Sequence, residues 1–162
     1  MKRTIIIIPL FLLLLSAKKT EVQTFSLSVS YASSEKSRDS HSTKETFSLD
    51  GKNLSYAVTY SGRKGPNQID EKKNCVLTDE QINKILTTLK EKKLNVEDSL
   101  IVNPSNIEPP YTSEAITISV TKGSKTTKIR VKGTYVQLAN KTLYTNSLYF
   151  INVISKMLKT CS

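Results

Sequence analysis

Apolar and polar residues alternate in several short stretches of the chain, a pattern typical of strands that bury one face. The first stretch is 24–31, where Phe, Leu, Val and Tyr alternate with Ser and Thr. Alternation returns over 45–49 and 54–60, and the sequence DGKN at 50–53 separates these two runs. Because glycine tolerates positive φ, DGKN suits a tight turn. The pattern predicts a single strand and then a hairpin.

A second hairpin is predicted in the C-terminal half of the chain. Ile and Val alternate with Ser and Thr over 115–121, and the alternation resumes over 126–132 after the turn sequence KGSK. The residues 133–138 predict one more short strand, in which Val136 and Leu138 point inward.

Two stretches have helical periodicity instead. The clearest helix lies in the stretch 75–94, where Thr78 is the N-cap and forms a capping box with Gln81. Acidic residues at its start and lysines at its end match the helix dipole. Its apolar stripe consists of Ile82, Ile85, Leu86 and Leu89. A second helix is predicted over 145–160, where apolar residues cover a wide arc, so this helix should be well buried.

Hairpins interrupted by helices indicate the α+β class. We expect a twisted antiparallel sheet of five or six strands, with the two helices packed on one face and a Ser-, Thr- and Lys-rich face toward solvent. The polar segment 32–44 is predicted to be a flexible loop, 61–74 an exposed loop and 95–113 an irregular connection. Residues 18–162 should form one α+β domain, since their number suits a single core.

The N-terminus has the pattern of an export signal. Lys2 and Arg3 precede an almost unbroken apolar run over 5–15, and the following Ser-Ala supplies small residues for cleavage. We predict a signal peptide over 1–17 and a secreted or periplasmic mature protein; an uncleaved anchor is the alternative. The run is too short for an ordinary membrane span and no other long apolar run follows, so we expect no stable span after cleavage.

The chain has two cysteines, Cys75 and Cys161. In an oxidising compartment such a pair usually forms a disulfide. Here the bond requires the two predicted helices to run antiparallel, so that the Cα atoms come within about 7 Å. Two cysteines are too few for a structural zinc site, and the single histidine, His41, is remote from both. We therefore expect a disulfide, and neither a metal nor a cofactor.

The chain is basic, with 24 Lys and Arg against 14 Asp and Glu and a formal net charge of +10. A basic surface can meet nucleic acid, an anionic polysaccharide or acidic lipid, and export argues against nucleic acid. Loops are favoured places for recognition, so Arg63 and Lys64 are one candidate contact with a partner. A solvated lysine-rich surface that aids solubility is the other interpretation.

A second candidate contact is the row formed by Lys128, Arg130 and Lys132. Strand alternation places these three cations on one face at about 7 Å spacing. We expect them to lie beside hydroxyl residues of the neighbouring strand, namely Thr117, Ser119 and Thr121. The row could instead be a solvated strand face that discourages edge-to-edge aggregation.

Catalytic motifs are poorly represented in the sequence. Asp39, Ser40 and His41 are adjacent in a polar segment, whereas the members of a catalytic triad meet from separate parts of a chain. The segment 61–74 lacks the spacing of a phosphate-binding loop. A pair of carboxylates facing each other across a concave pocket is the enzymatic alternative that stays open.

Together these observations predict an exported, non-enzymatic binding domain that uses a basic exposed surface. Its partner would be an exported protein or an anionic envelope polymer, and not nucleic acid. Two alternatives stay open. One is a small secreted hydrolase with a carboxylate-based site, and the other is a purely structural accessory domain of the envelope.

Overall fold

The computed structural model describes residues 25–37, 40–62, 71–104 and 107–161, and within them it has seven strands and three helices. The strands are β1 (Phe25–Lys36), β2 (His41–Asp50), β3 (Asn53–Gly62), β4 (Glu71–Val76), β5 (Asp98–Ile101), β6 (Tyr111–Lys122) and β7 (Lys125–Thr134). The helices are α1 (Asp79–Glu91), α2 (Tyr135–Leu138) and α3 (Thr142–Thr160). The predicted signal peptide over 1–17 lies outside the described residues.

The strands form one sheet in the order β4-β3-β2-β1-β6-β7-β5. All neighbours are antiparallel except β5 and β7, which pair in parallel. The predicted α+β class is confirmed, but the sheet is mixed and has more strands than the five or six expected, and a short third helix accompanies the two predicted ones. The missed strands β4 and β5 have only six and four residues, so alternation within them carries little signal.

One face of the sheet and the two long helices enclose the core. Alternate residues of each long strand point into it, as Leu27 and Val29 do on β1. Ile85 of α1 and Phe150 of α3 pack into the same buried cluster. The two hairpin turns were predicted correctly. Gly51 and Gly123 adopt backbone φ values of 57° and 58°, which residues with a β-carbon rarely adopt.

The start of α1 follows the prediction closely. The Thr78 hydroxyl accepts a hydrogen bond from the backbone N–H of Gln81 at 3.2 Å, and the Gln81 side chain accepts one from the backbone N–H of Thr78 at 2.9 Å. The capping box is therefore confirmed. It satisfies backbone donors that the first helical turn leaves without partners.

The disulfide between Cys75 and Cys161 is present, with the two Cα atoms 5.9 Å apart. Cys75 lies in β4, just before α1, and Cys161 directly follows α3. At the opposite ends of these helices, the Asn146 side chain donates a hydrogen bond to the carbonyl oxygen of Lys92 at 3.2 Å. The helices therefore run antiparallel, as the disulfide required. Over the described ranges, no helix has the length and apolar character needed to cross a membrane.

The prediction of a loop over 32–44 was wrong for the residues that the structure describes. β1 continues to Lys36 and β2 already begins at His41. Ser34 pairs with Ser42 on one side and with Ser113 on the other. Because β1 is a central strand, both sides of its backbone are hydrogen-bonded although few large apolar side chains mark its end. Side-chain periodicity does not reveal this kind of stabilisation.

The prediction of a strand over 133–138 was also wrong, because β7 ends at Thr134 and α2 follows. The Thr134 hydroxyl accepts from the Gln137 backbone, and the Gln137 side chain accepts from the Thr134 backbone, which starts a helix. Leu138 is buried as expected, but Val136 is 83% exposed. A β-carbon at Gly133 would lie 3.1 Å from Leu138 Cδ2, so a larger residue there would crowd the buried Leu138 side chain.

Candidate functional site

Lys128, Arg130 and Lys132, here called the basic row, project from β7 on the side of the sheet opposite α1 and α3, here called the outer face. Alternation sets this direction, because the intervening Ile129 and Val131 are buried in the core. The second and third cations are exposed and the first is half-buried. The structure therefore places all three predicted contact residues on one strand face.

Hydroxyl side chains of β6 adjoin the basic row. Ser119 and Thr117 are the cross-strand partners of its first two cations, as expected. The third cation has Ala115 as its partner, so the expected pairing with Thr121 was wrong. Thr121 pairs with Thr126 instead, because the two-residue turn sets the register of this hairpin.

Small hydroxyl side chains continue from the basic row across the outer face. Residues that pair across neighbouring strands lie on the same face, about 5 Å apart. One line across the strands consists of Ser119, Ser28, Ser48 and Ser55, and the next consists of Thr117, Ser30 and Thr46. The outer face thus offers hydrogen-bond donors and acceptors beside a row of positive charges.

Protection of a sheet edge does not explain the basic row. β5 pairs with β7 at two of the three cations, since Ser99 is the partner of Arg130 and Ile101 is the partner of Lys132. Strand β7 is therefore an interior strand at these two positions, and Lys128 directly precedes the paired stretch. The alternative explanation, in which the cations discourage edge-to-edge aggregation, applies to strands with unpaired backbone groups.

The charges of the strands are divided between the two faces of the sheet. Pairing and alternation place three more lysines on the outer face, namely Lys36, Lys44 and Lys72. They place five carboxylates toward the opposite face, namely Glu35, Glu45, Glu71, Asp98 and Glu114, together with the lysines Lys73, Lys122 and Lys125. Among the described strand residues, Asp50 at the β2–β3 turn is the one carboxylate on the outer side. The outer face is therefore a positively charged surface.

The ion pairs within the described segments leave the basic row available. They join His41 to Glu35 at 3.1 Å and Lys52 to Asp79 at 2.7 Å. In this part of the chain, no carboxylate oxygen lies within 4.0 Å of a cation of the basic row. Its positive charge is free to attract an anion. The other predicted contact, Arg63 and Lys64, lies outside the described residues.

A buried cluster that the sequence analysis missed consists of Tyr31, Glu114 and Tyr144, here called the tyrosine–carboxylate cluster. Glu114 is 6% exposed. The Tyr31 hydroxyl donates to Glu114 Oε1 at 3.3 Å, and the Tyr144 hydroxyl donates to Oε2. The signal in the sequence was that Glu114 stands in phase with the buried Ile116 and Ile118 of β6, where a lone carboxylate needs hydrogen-bond partners.

The two tyrosines of this cluster act as hydrogen-bond donors. Burial raises the pKa of Tyr144, and its hydrogen bond to Glu114 and the negative charge of that carboxylate raise it further. Burial also raises the pKa of Tyr31, followed by the charge of Glu114. Both phenols are therefore protonated at neutral pH. The cluster ties β1, β6 and α3 together with its two carboxylate oxygens occupied.

A second pair of groups, Glu45 and Glu71, lines a cavity of about 340 Å³ together with Tyr56 and Lys73. Both carboxylates pair with Val58, so their Cα atoms lie about 10 Å apart across two strand spacings. The Tyr56 hydroxyl donates to Glu45 at 3.4 Å. Burial and then the charge of Glu45 raise the pKa of Tyr56 to about 12. Two carboxylates on one concave surface are the arrangement that the enzymatic alternative requires.

Within the segments described above, no three His, Cys, Asp or Glu side chains are grouped so that they could hold a metal ion. No protein-family model matches this sequence, and no curated protein matches it.

Proposed function

We propose that this protein is an exported, non-enzymatic domain that binds an anionic polymer of the cell envelope through its outer face. The observation that carries the proposal is the basic row on an interior strand, flanked by hydroxyl side chains. Three cations at about 7 Å intervals along one strand form a linear array, and an extended polyanion can follow such an array. The disulfide supports the proposed location, because such bonds persist in oxidising compartments.

The division of charge supports the same proposal. A formal charge of +10 spread evenly would attract anions weakly from every direction. Here three strand lysines, Lys36, Lys44 and Lys72, share one face with the basic row. Most strand carboxylates lie on the other face, where Lys73, Lys122 and Lys125 partly offset their charge. A field of one sign on one face steers an anionic ligand to that face and orients it.

The test compares two variants that lose the same charge. In the first, the basic row is changed by Lys128→Gln, Arg130→Gln and Lys132→Gln. In the second, three exposed helix lysines are changed by Lys84→Gln, Lys90→Gln and Lys156→Gln. The probes are polygalacturonate and linear polyphosphate, with binding followed by calorimetry at low and high salt.

We expect the basic-row variant to bind about 10- to 100-fold more weakly, since three exposed charge contacts contribute roughly 0.5–1 kcal/mol each. The helix variant should bind within about threefold of the wild type, and high salt should weaken wild-type binding. Equal losses in both variants would mean that only net charge matters and would contradict the proposal. Absence of saturable binding to either probe would favour the structural accessory role.

A second candidate function is glycoside hydrolysis by the Glu45 and Glu71 pair. The observation that favours it is their shared cavity, since inverting glycosidases hold two carboxyl groups roughly 6.5–9.5 Å apart. The test is release of reducing ends from a panel of glycans by the wild type, Glu45→Gln and Glu71→Gln. Turnover by the wild type that both variants lose would establish this function, and no turnover by the wild type would remove it.

A further inference from the structure

The outer face carries an aromatic side chain beyond the basic row. Tyr111 is the first residue of β6 and pairs with Lys36 of β1. Alternation along β6 places it on the outer face with Ser113 and Ala115, because the intervening Glu114 is buried on the other side. Tyr111 is half-buried and lies beside the exposed Lys36.

Tyr111 lies in line with the basic row along the strand direction. It precedes Ala115, the cross-strand partner of Lys132, by four residues, or about 13 Å. The basic row itself covers about 13 Å from Lys128 to Lys132. Together they form a track of about 27 Å with cations along one half and an aromatic ring with a cation at the other end.

Hydroxyl groups occupy the interval between the ring and the row. Ser113 follows Tyr111 on the outer face and pairs with Ser34 of β1, and both are half-buried. Thr134, its partner on the other side, is 2% exposed and caps α2, so its hydroxyl is not available to a ligand. The track therefore combines three kinds of group: cations, small hydroxyls and an aromatic ring. A simple polyanion such as polyphosphate can use the cations, but it has no ring to stack and no neutral hydroxyls to hydrogen-bond.

We propose that the outer face binds an acidic polysaccharide, with Tyr111 stacking on a sugar ring and the cations contacting sugar carboxylates. This inference deepens the proposed function and depends on it. A pyranose ring has an apolar face that suits an aromatic side chain, and Tyr supplies large contact area at low conformational cost. Sugar hydroxyls can hydrogen-bond to the Ser and Thr side chains of the outer face. Sugar carboxylates can form charge-assisted hydrogen bonds with Lys36 and the basic row.

The experiment uses the full mature chain with its disulfide and three variants. Tyr111→Leu removes the ring but keeps a large apolar side chain, so the loop and strand keep their packing. Tyr111→Phe keeps the ring and removes the hydroxyl. The basic-row variant described above serves as the third. Each is titrated with a galacturonate oligosaccharide and with linear polyphosphate, and each is checked by thermal unfolding.

We expect Tyr111→Leu to weaken oligosaccharide binding about three- to tenfold, which corresponds to one aromatic contact. Tyr111→Phe should bind the oligosaccharide with an affinity within about twofold of that of the wild type. Neither variant should change polyphosphate binding, and the basic-row variant should weaken both ligands.

Three results would overturn parts of this argument in distinguishable ways. Unchanged oligosaccharide binding by Tyr111→Leu would overturn the polysaccharide inference and leave the basic row as a general polyanion site. Equal losses for both ligands in Tyr111→Leu would also overturn it, since the ring would then act by supporting the surface. Unchanged binding of both ligands by the basic-row variant would refute the proposed function itself.

Discussion

Removal of one hydroxyl group tests how the tyrosine–carboxylate cluster stabilises the fold. Tyr144 is 2% exposed and donates to Glu114 Oε2. Tyr144→Phe keeps the ring and its packing but leaves that oxygen without this donor in a buried site. The other oxygen keeps only the 3.3 Å contact with Tyr31. The change therefore isolates one buried hydrogen bond to a carboxylate.

The expected cost follows from the nature of that bond. Hydrogen bonds to charged groups contribute roughly 1.5–3 kcal/mol, and an unsatisfied buried group adds its desolvation penalty. We expect Tyr144→Phe to lower the free energy of unfolding by about 2–3 kcal/mol. For a domain of this size that corresponds to a melting temperature lower by roughly 6–10 °C.

The assay is urea unfolding followed by circular dichroism, with Tyr149→Phe as the matched control. Tyr149 lies in the same helix but is 51% exposed, so loss of its hydroxyl should cost less than about 0.5 kcal/mol. The m-value should stay constant, because the same surface is exposed on unfolding. Equal stability of the two variants would refute the view that Glu114 depends on Tyr144.

A double variant sharpens the result. When Glu114→Leu removes the acceptor, Tyr144→Phe should cost little more, because both polar partners are then gone. The two changes should therefore be non-additive by about 0.5–3 kcal/mol. Additive costs would mean that the hydroxyl and the carboxylate stabilise the protein independently.

Two further predictions concern the disulfide and alkaline pH. Replacing both Cys75 and Cys161 by Ala should lower the free energy of unfolding by about 4–5 kcal/mol in the chain-entropy model for a separation of 86 residues; a loss below about 1 kcal/mol in urea unfolding would contradict that estimate. The pKa values of Tyr31, Tyr56 and Tyr144 are raised above the ordinary 10.0, so the unfolded chain loses these protons first. The stability that these three groups contribute should be fully present below about pH 10 and should fall as pH rises further. Tyr144→Phe should make this fall shallower. If the free energy of unfolding of this variant fell with pH as steeply as that of the wild type, Tyr144 would not be one of the groups responsible.

Local sequence determined the elements whose own residues carry strong signals. Thr78 and Gln81 specify the start of α1 through bonds made within one turn, so no distant contact is needed to find them. Gly51 and Gly123 specify two hairpin turns for the same reason. The direction of the basic row also followed from alternation alone, because side chains on a strand have a period of two.

Tertiary structure decided the features that depend on distant partners. β4 and β5 are strands because β3 and β7 offer them backbone hydrogen bonds, and the polar end of β1 is ordered because strands pair with it on both sides. Such bonds form between main chains, so they leave little trace in the side-chain pattern.

The outer face and the tyrosine–carboxylate cluster also depend on both sequence and tertiary structure. The sequence placed three cations on one strand, but only the sheet order made that strand an interior one and brought Lys36, Lys44 and Lys72 to the same face. Tyr31, Glu114 and Tyr144 come from three elements far apart in the chain. Their hydrogen bonds exist because the fold buries a carboxylate between two phenols. No local pattern of residues specifies which tyrosines contact that carboxylate.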